Sequence, residues 1–283
     1  MIQRYFLILT TEQTGGSWLA KLLNHHFEVM CFHQLEFVTY TVNLPPRPRA
    51  YFEFTSQEQL SNLLYLFSPS HRYGDSYQVL GTITAGTDLS VRRTMEAVAA
   101  YFPEAAARTQ CFVALQNPVI QIHSHTSSLL RMAESVADAK QMRDFHRQRS
   151  RDTMGAMEPA VAQALHREIQ CADRDAEYFL HACLEYLRLI WAAQEARSLL
   201  PYRCVLQWEE LNSAPLSLRQ ALHEITGLEY DLPLSLVEGV NRTRGEETAS
   251  ALFRSWSAQR QSYFAQVFEP QRPTLQSLGY QLL

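Results

Sequence analysis

Two consecutive glycines, Gly15 and Gly16, stand between an apolar run and a helical stripe, and no other feature constrains the fold as much. Tyr5 to Leu9 is a short continuous apolar segment, the pattern of a strand buried on both faces of a parallel sheet. After Gly16 the period changes. Trp18, Leu19, Leu22 and Leu23 recur as on one face of a helix, which ends near Asn24-His25-His26. Strand, glycine turn and helix make one βα unit. Such a turn exposes backbone N–H groups at the positive end of a helix dipole, where glycines let an anion approach and Ser17 adds a hydroxyl. A plain tight turn capped by Ser17 would carry the same residues, so the turn alone leaves both readings open. The triphosphate-binding pattern G-x-x-x-x-G-K-[ST] is absent, which argues against ATP or GTP.

The rest of the chain repeats the alternation. Further strands are expected within 27–37, at Gln78-Val79-Leu80, at Cys111 to Leu115 and at Cys204-Val205-Leu206. Helices are expected from Gln57 to Leu66, Ser90 to Phe102, Val119 to Met132, Glu177 to Ser198, Leu216 to Ile225 and Ala251 to Phe268. Residues 38–56, with Pro45-Pro46-Arg47-Pro48, read as irregular surface chain. The charge-dense segment 136–152 reads as an exposed helix or lid. Strands alternating with helices predict an α/β fold, a mostly parallel central sheet flanked by helices. One domain is expected over 1–283, with a helical cap or lid at about 133–180.

Composition narrows the partners. The net charge is −4, so nothing suggests a nucleic-acid binder or a general acidic-surface binder, and an anionic ligand must be held locally. Lysine occurs only at Lys21 and Lys140, so a local cation is far more often arginine. Five scattered cysteines fit buried free thiols in a reducing compartment. With a short apolar N-terminus and no window approaching ~20 apolar residues, the expectation is a cytoplasmic chain without a membrane span. The neighbouring pair His25-His26 does not suggest a metal site, because adjacent helical residues point apart.

Several segments, taken in order, resemble the P-loop sulfotransferases. Thr14-Gly15-Gly16-Ser17-Trp18-Leu19 resembles their 5′-phosphosulfate loop, [KR]-[ST]-G-[ST]-[ST]-x-L. Gln116-Asn117-Pro118, with Ser124 further along, resembles their 3′-phosphate motif of Arg-[DN]-Pro and a later Ser. Tyr73-Gly74-Asp75 resembles W-G-D-K, Val205 to Leu211 resembles V-x-Y-E-D-L, and Leu278-Gly279-Tyr280 matches a frequent terminal L-G-Y. The resemblance implies a five-stranded parallel sheet related to nucleotide kinases and 3′-phosphoadenosine 5′-phosphosulfate as donor, with no metal. It also implies donor-binding roles for Thr14, Gly15, Gly16, Ser17, Trp18, Gln116 and Ser124.

The departures all remove positive charge. The loop cation of the family is Gln13 here, its 3′-phosphate arginine is Gln116, and the lysine of W-G-D-K falls on Ser76. Two lost charge-assisted hydrogen bonds cost on the order of 3–6 kcal/mol unless replaced. Arg242 and Arg244, in the place of a basic loop that closes over the 3′-phosphate in the family, are the candidate replacements. For the base, the stretch Leu23 to Gln34 resembles tyrosylprotein-type sulfotransferases, in which a glutamate two residues after a cysteine takes the acceptor proton. His33 falls on that position, two residues after Cys31, and Glu36 is the second candidate. Gln13 offers a neutral hydrogen bond to the leaving group.

The expected activity is therefore sulfuryl transfer to a hydroxyl of a small-molecule acceptor. The competing expectation is a protein that keeps the fold and binds a ligand or partner without donor chemistry. Acceptor identity and oligomeric state are not legible in the sequence.

Overall fold

The computed structural model describes residues 2–11, 15–41, 44–48, 51–68, 76–85, 90–135, 139–213, 215–232 and 249–281. By internal packing the chain divides into two compact units. One comprises Met1–Leu115 with Ala192–Gly245, the other Gln116–Trp191 with Glu246–Leu283.

The first unit is built on five parallel strands. β1 (Arg4–Leu9) is followed by helix α1 (Gly16–Leu23) and β2 (Val29–His33). An antiparallel ribbon, β3 (Val38–Thr41) with β4 (Leu44–Pro48), precedes helix α2 (Ser56–Leu64). Then come β5 (Val79–Thr84), helices α3 (Val91–Tyr101) and α4 (Pro103–Ala106), and β6 (Thr109–Leu115). After α8 (Arg174–Leu199), β7 (Val205–Gln207), α9 (Trp208–Ser213) and α10 (Pro215–Thr226) complete the unit. The sheet order is β2-β5-β1-β6-β7, every neighbouring pair parallel. This is the α/β architecture expected from the alternation of strands and helices.

Alternation along β1 divides the packing. Phe6 and Ile8 join Trp18, Leu19 and Leu22 of α1 and Leu218 and Leu222 of α10 in one apolar cluster. Tyr5 points the other way and meets Phe67, which in turn meets Phe102 at the end of α3. Both faces are covered, so β1 reads as an unbroken apolar run. Its order fixes where a ligand can sit. From β1 the chain leaves toward β2 on one side, whereas β6 leads to β7 on the other. The carboxyl ends of β1 and β6 therefore flank a topological switch point, the usual position of ligand crevices in open parallel sheets. The glycine turn follows β1 at that point. Thr10, the first residue past β1, ties the two neighbouring strand ends: its amide donates to Thr84 and its hydroxyl to the Ala114 carbonyl.

In the second unit all the described regular elements are helical: α5 (Pro118–Ser135), α6 (Ala139–Met154), α7 (Pro159–Cys171), α8 (Arg174–Leu199) up to Trp191, and the helices Ala249–Ser255, Ala258–Phe268 and Arg272–Ser277. Trp256 and Phe264 anchor its aromatic packing, Trp256 standing edge-on to Phe179 at 4.9 Å between ring centres. No helix among the described residues is long and apolar enough to cross a membrane.

Three expectations need correction. Residues 38–56 are not irregular throughout: they hold the β3–β4 ribbon, with Phe52 and Phe54 buried. The segment 251–268 is two helices rather than one, because Ser257 caps the second through the Arg260 amide. Most notably, α6 is not a solvated helix. One face of it is buried, with Met142, His146, Arg149 and Ser150, and three of its arginines pair with carboxylates of α8. Glu177 accepts from Arg143 at 2.8 Å and from Arg147 at 3.1 Å, and Arg149 donates to Glu185 in the interior. Charge density suggested exposure; the arginines instead neutralise carboxylates of a neighbouring helix.

Candidate functional site

The glycine turn is shaped by two aromatic neighbours. Gly15 has φ 76°, the left-handed region, and caps α1 without a side-chain hydrogen bond. Its carbonyl accepts from the amides of Trp18 and Leu19 at 2.9 and 3.1 Å. The Gly16 and Ser17 amides lie in the first turn, where no intrahelical acceptor exists, and α1 has no acidic residue there. At α3 the same vacancy is filled by the protein itself, since the Glu195 carboxylate accepts from Val91 at 2.6 Å and from Arg92 at 3.2 Å. The start of α1 thus keeps its amides and the exposed Ser17 hydroxyl for something else.

Both glycines are also places of close approach. A Cβ on Gly15 would lie 2.2 Å from Cζ2 of Trp208, and one on Gly16 would lie 3.0 Å from Nε2 of His33 and 3.2 Å from the Ile83 Cγ2. His33, at the end of β2, therefore presents the Nε2 edge of its imidazole to the start of α1. The ring is solvent-exposed over part of its surface, yet its Nε2 edge lies close to Gly16. That partial desolvation lowers its pKa from the ordinary histidine value. The positive end of the α1 dipole opposes a further positive charge in the same sense. The arrangement holds a neutral imidazole at neutral pH beside unclaimed backbone donors.

The remaining candidates are placed as follows. Trp18 is 9% exposed and packs edge-on against Trp208 at 5.3 Å, so its side chain belongs to the core. Glu36 is 2% exposed, and its Oε1 accepts from the Ala85 amide at 3.1 Å. Gln116 and Ser124 belong to the second unit. There the Gln116 carbonyl accepts from the Tyr186 hydroxyl, and Asn117 caps α5 by accepting from the Val119 amide, with Pro118 at the first helical position. Ser124 is 2% exposed, and its neighbour His125 is buried. Ser76 is exposed. Gln13, Thr14, Tyr73-Gly74-Asp75, Arg242 and Arg244 lie outside the described residues. Among the described residues no group of His, Cys, Asp and Glu is arranged to hold a metal ion.

Sequence reasoning missed Trp208 as the lid on Gly15 and Ile83 as a second side chain close to Gly16. A signal for the first existed. Two adjacent glycines after a buried strand imply that something large approaches the turn, and Trp208 is the one aromatic of the Val205–Leu211 segment.

No protein family's sequence pattern matches the chain, and no curated protein does. Among solved structures it is similar to a sulfotransferase from Alicyclobacillus acidocaldarius, at 15% identity and a TM-score of 0.49, covering 100% of this chain and 98% of that one. It is also similar to the sulfotransferase domain from the curacin biosynthetic pathway, at 13% identity and a TM-score of 0.46, covering 100% and 99%. In fold, the protein is an α/β chain with a five-stranded parallel sheet flanked by helices, and both of these neighbours are sulfotransferases.

Proposed function

We propose that this chain binds 3′-phosphoadenosine 5′-phosphosulfate at the glycine turn and transfers its sulfuryl group to a hydroxyl of a small-molecule acceptor. The observation that carries this reading is the Nε2 edge of His33 standing against Gly16, at the switch point of the sheet. The turn amides of 14–17 and the Ser17 hydroxyl take the 5′-phosphosulfate. The acceptor oxygen attacks sulfur, the sulfur–oxygen bond to the 5′-phosphate breaks, and the acceptor proton passes to Nε2. Negative charge then grows on the leaving phosphate, where fixed amides stabilise it without reorganisation. Gln13 adds a neutral donor, and by the resemblance Gln116 and Ser124 bind the 3′-phosphate, with Arg242 and Arg244 supplying charge.

Calorimetric titration with 3′-phosphoadenosine 5′-phosphate tests the binding half. Micromolar affinity is expected, weakened about 10- to 100-fold by Arg242→Ala. A second reading, a ligand- or partner-binding protein without donor chemistry, is favoured by the uncharged Gln13 and Gln116. Absence of heat at millimolar ligand would select it. Gln13→Lys with Gln116→Arg should then create binding, and if they do not, the alignment of these positions is mistaken.

The pH profile tests the chemical half. A base must be deprotonated to act, so kcat/KM should rise with pH through a midpoint below the ordinary histidine value and level off above it. His33→Gln should lose that limb and about 10²- to 10⁴-fold in rate. An unchanged limb in the variant would remove His33 from the reaction.

A further inference from the structure

Glu36 lies three residues beyond the proposed base, in the 3₁₀ turn Leu35–Phe37 that directly follows β2. Its neighbours in that turn, Leu35 and Phe37, are buried apolar residues. A carboxylate in such surroundings is costly unless hydrogen bonds hold it, so its partners show what it does. Oε1 accepts from the amide of Ala85, the first residue past β5. Just before it, Gln34 donates its amide to the Ile83 carbonyl at 2.8 Å. The two bonds run in opposite senses and carry the β2–β5 pairing past the last paired residues, His33 and Ile83. A third tie comes from α2, where Asn62 Nδ2 donates to the Glu36 carbonyl at 3.1 Å.

The turn so fixed is not a relaxed one. Gln34 has φ 59°, and among the described non-glycine residues it alone has a positive φ. A side chain longer than Asn or Asp takes up that conformation only where the surroundings dictate it. What the turn achieves is the placement of its two flanking side chains: His33 on one strand and Ile83 on the other converge on the space above Gly16. The carboxylate itself is closed off from solvent and engaged with main chain, so it is badly placed to take a proton from an acceptor.

We infer that Glu36 is a positioning residue, whose buried carboxylate pins the end of β5 to the turn after β2 and thereby holds the His33 imidazole against Gly16. The inference rests on the reading of His33 as the base. The bond from the Ala85 amide needs an acceptor oxygen, which a glutamine at this position also supplies.

The test is the NMR titration of the His33 imidazole together with hydrogen exchange of the Ala85 amide, in wild type, Glu36→Gln and Glu36→Ala. Neither readout requires donor turnover, so the anchor stands or falls separately from the sulfuryl-transfer reading. Glu36→Gln retains an acceptor and is expected to keep the wild-type titration and exchange. Glu36→Ala is expected to raise the His33 pKa toward the ordinary histidine value and to speed Ala85 exchange about 10-fold or more. A folded Glu36→Ala with both readouts unchanged overturns the assignment. So does a Glu36→Gln protein whose His33 titrates like a free histidine, a result that remains decisive if the alanine variant fails to fold. For turnover, Glu36→Ala should lower kcat with little change in donor KM.

Discussion

Acidification from pH 7.0 to 5.5 should destabilise the helical unit by a few kcal/mol, because three buried histidines there stay neutral in the fold. His125 of α5, His146 of α6 and His181 of α8 form one cluster, with ring centres 4.2 Å apart for His146–His181 and 6.2 Å for His125–His181. Burial lowers the pKa of all three, that of His125 to about 4 and those of His146 and His181 well below the ordinary value. The other groups facing them are Arg149 and Ser150 from α6 and Tyr178, Glu185 and Arg188 from α8. The Arg149 cation opposes a further positive charge. Glu185 favours one, but it is already engaged by Arg149 and lies near Arg188. The sign follows from the depressed values. Between about pH 6.5 and the folded pKa, the unfolded chain binds protons that the folded one does not. Stability is therefore complete above the unfolded value and falls as the pH drops through it. Each histidine that stays neutral over that interval contributes about 1 kcal/mol, and the three together a few kcal/mol. Hydrogen exchange of the α5 and α6 amides at the two pH values measures the loss, and His181→Gln should remove about a third of it. A change below about 1 kcal/mol in wild type would mean that the folded cluster accepts protons after all.

This cluster marks the limit of what the sequence discloses. The strands at Tyr5–Leu9 and Cys111–Leu115 are legible because a buried parallel strand is apolar at every position, and their lengths need no partner to be read. The glycine turn is legible because a change of period brackets it. Segment 139–154 is misread for the opposite reason. Arg143, Arg147 and Arg149 are paired with carboxylates about 30 residues further along the chain, and nothing local announces Glu177 or Glu185 as partners. The ribbon at 38–48 is hidden by its prolines, which edge positions of a two-stranded ribbon tolerate. At the candidate site, motif and spacing single out His33, but only the fold brings its Nε2 to Gly16. Glu36 shows the same limit. By residue type it is a candidate base, and only its burial and the Ala85 amide separate anchoring from proton transfer.

Gly15→Ala should be strongly destabilising, for two reasons that add. A left-handed backbone costs a residue with a Cβ about 1–2 kcal/mol relative to glycine. The new methyl would also lie 2.2 Å from Cζ2 and 2.8 Å from Cε2 of Trp208. The indole cannot swing away cheaply: it is 5% exposed, stands edge-on to Trp18, and sits in the cluster with Leu211, Leu218 and Leu222. Overpacking of that kind costs about 1–3 kcal/mol. The sum, about 2–5 kcal/mol, is a large fraction of a domain's stability. Urea denaturation of Gly15→Ala measures it, and a double-mutant cycle with Trp208→Ala separates the two parts. Removing the indole should return the overpacking share and leave the backbone share, a coupling of about 1–3 kcal/mol. If the cycle shows no coupling, the indole is not what the glycine accommodates. The same substitution bears on ligand binding, since turning Gly15 out of the left-handed region redirects the amides of Gly16 and Ser17. A variant that stays folded yet loses 3′-phosphoadenosine 5′-phosphate binding by more than about 10-fold ties the glycine's conformation to the anion site. One that binds normally would show that the turn serves packing against Trp208 alone.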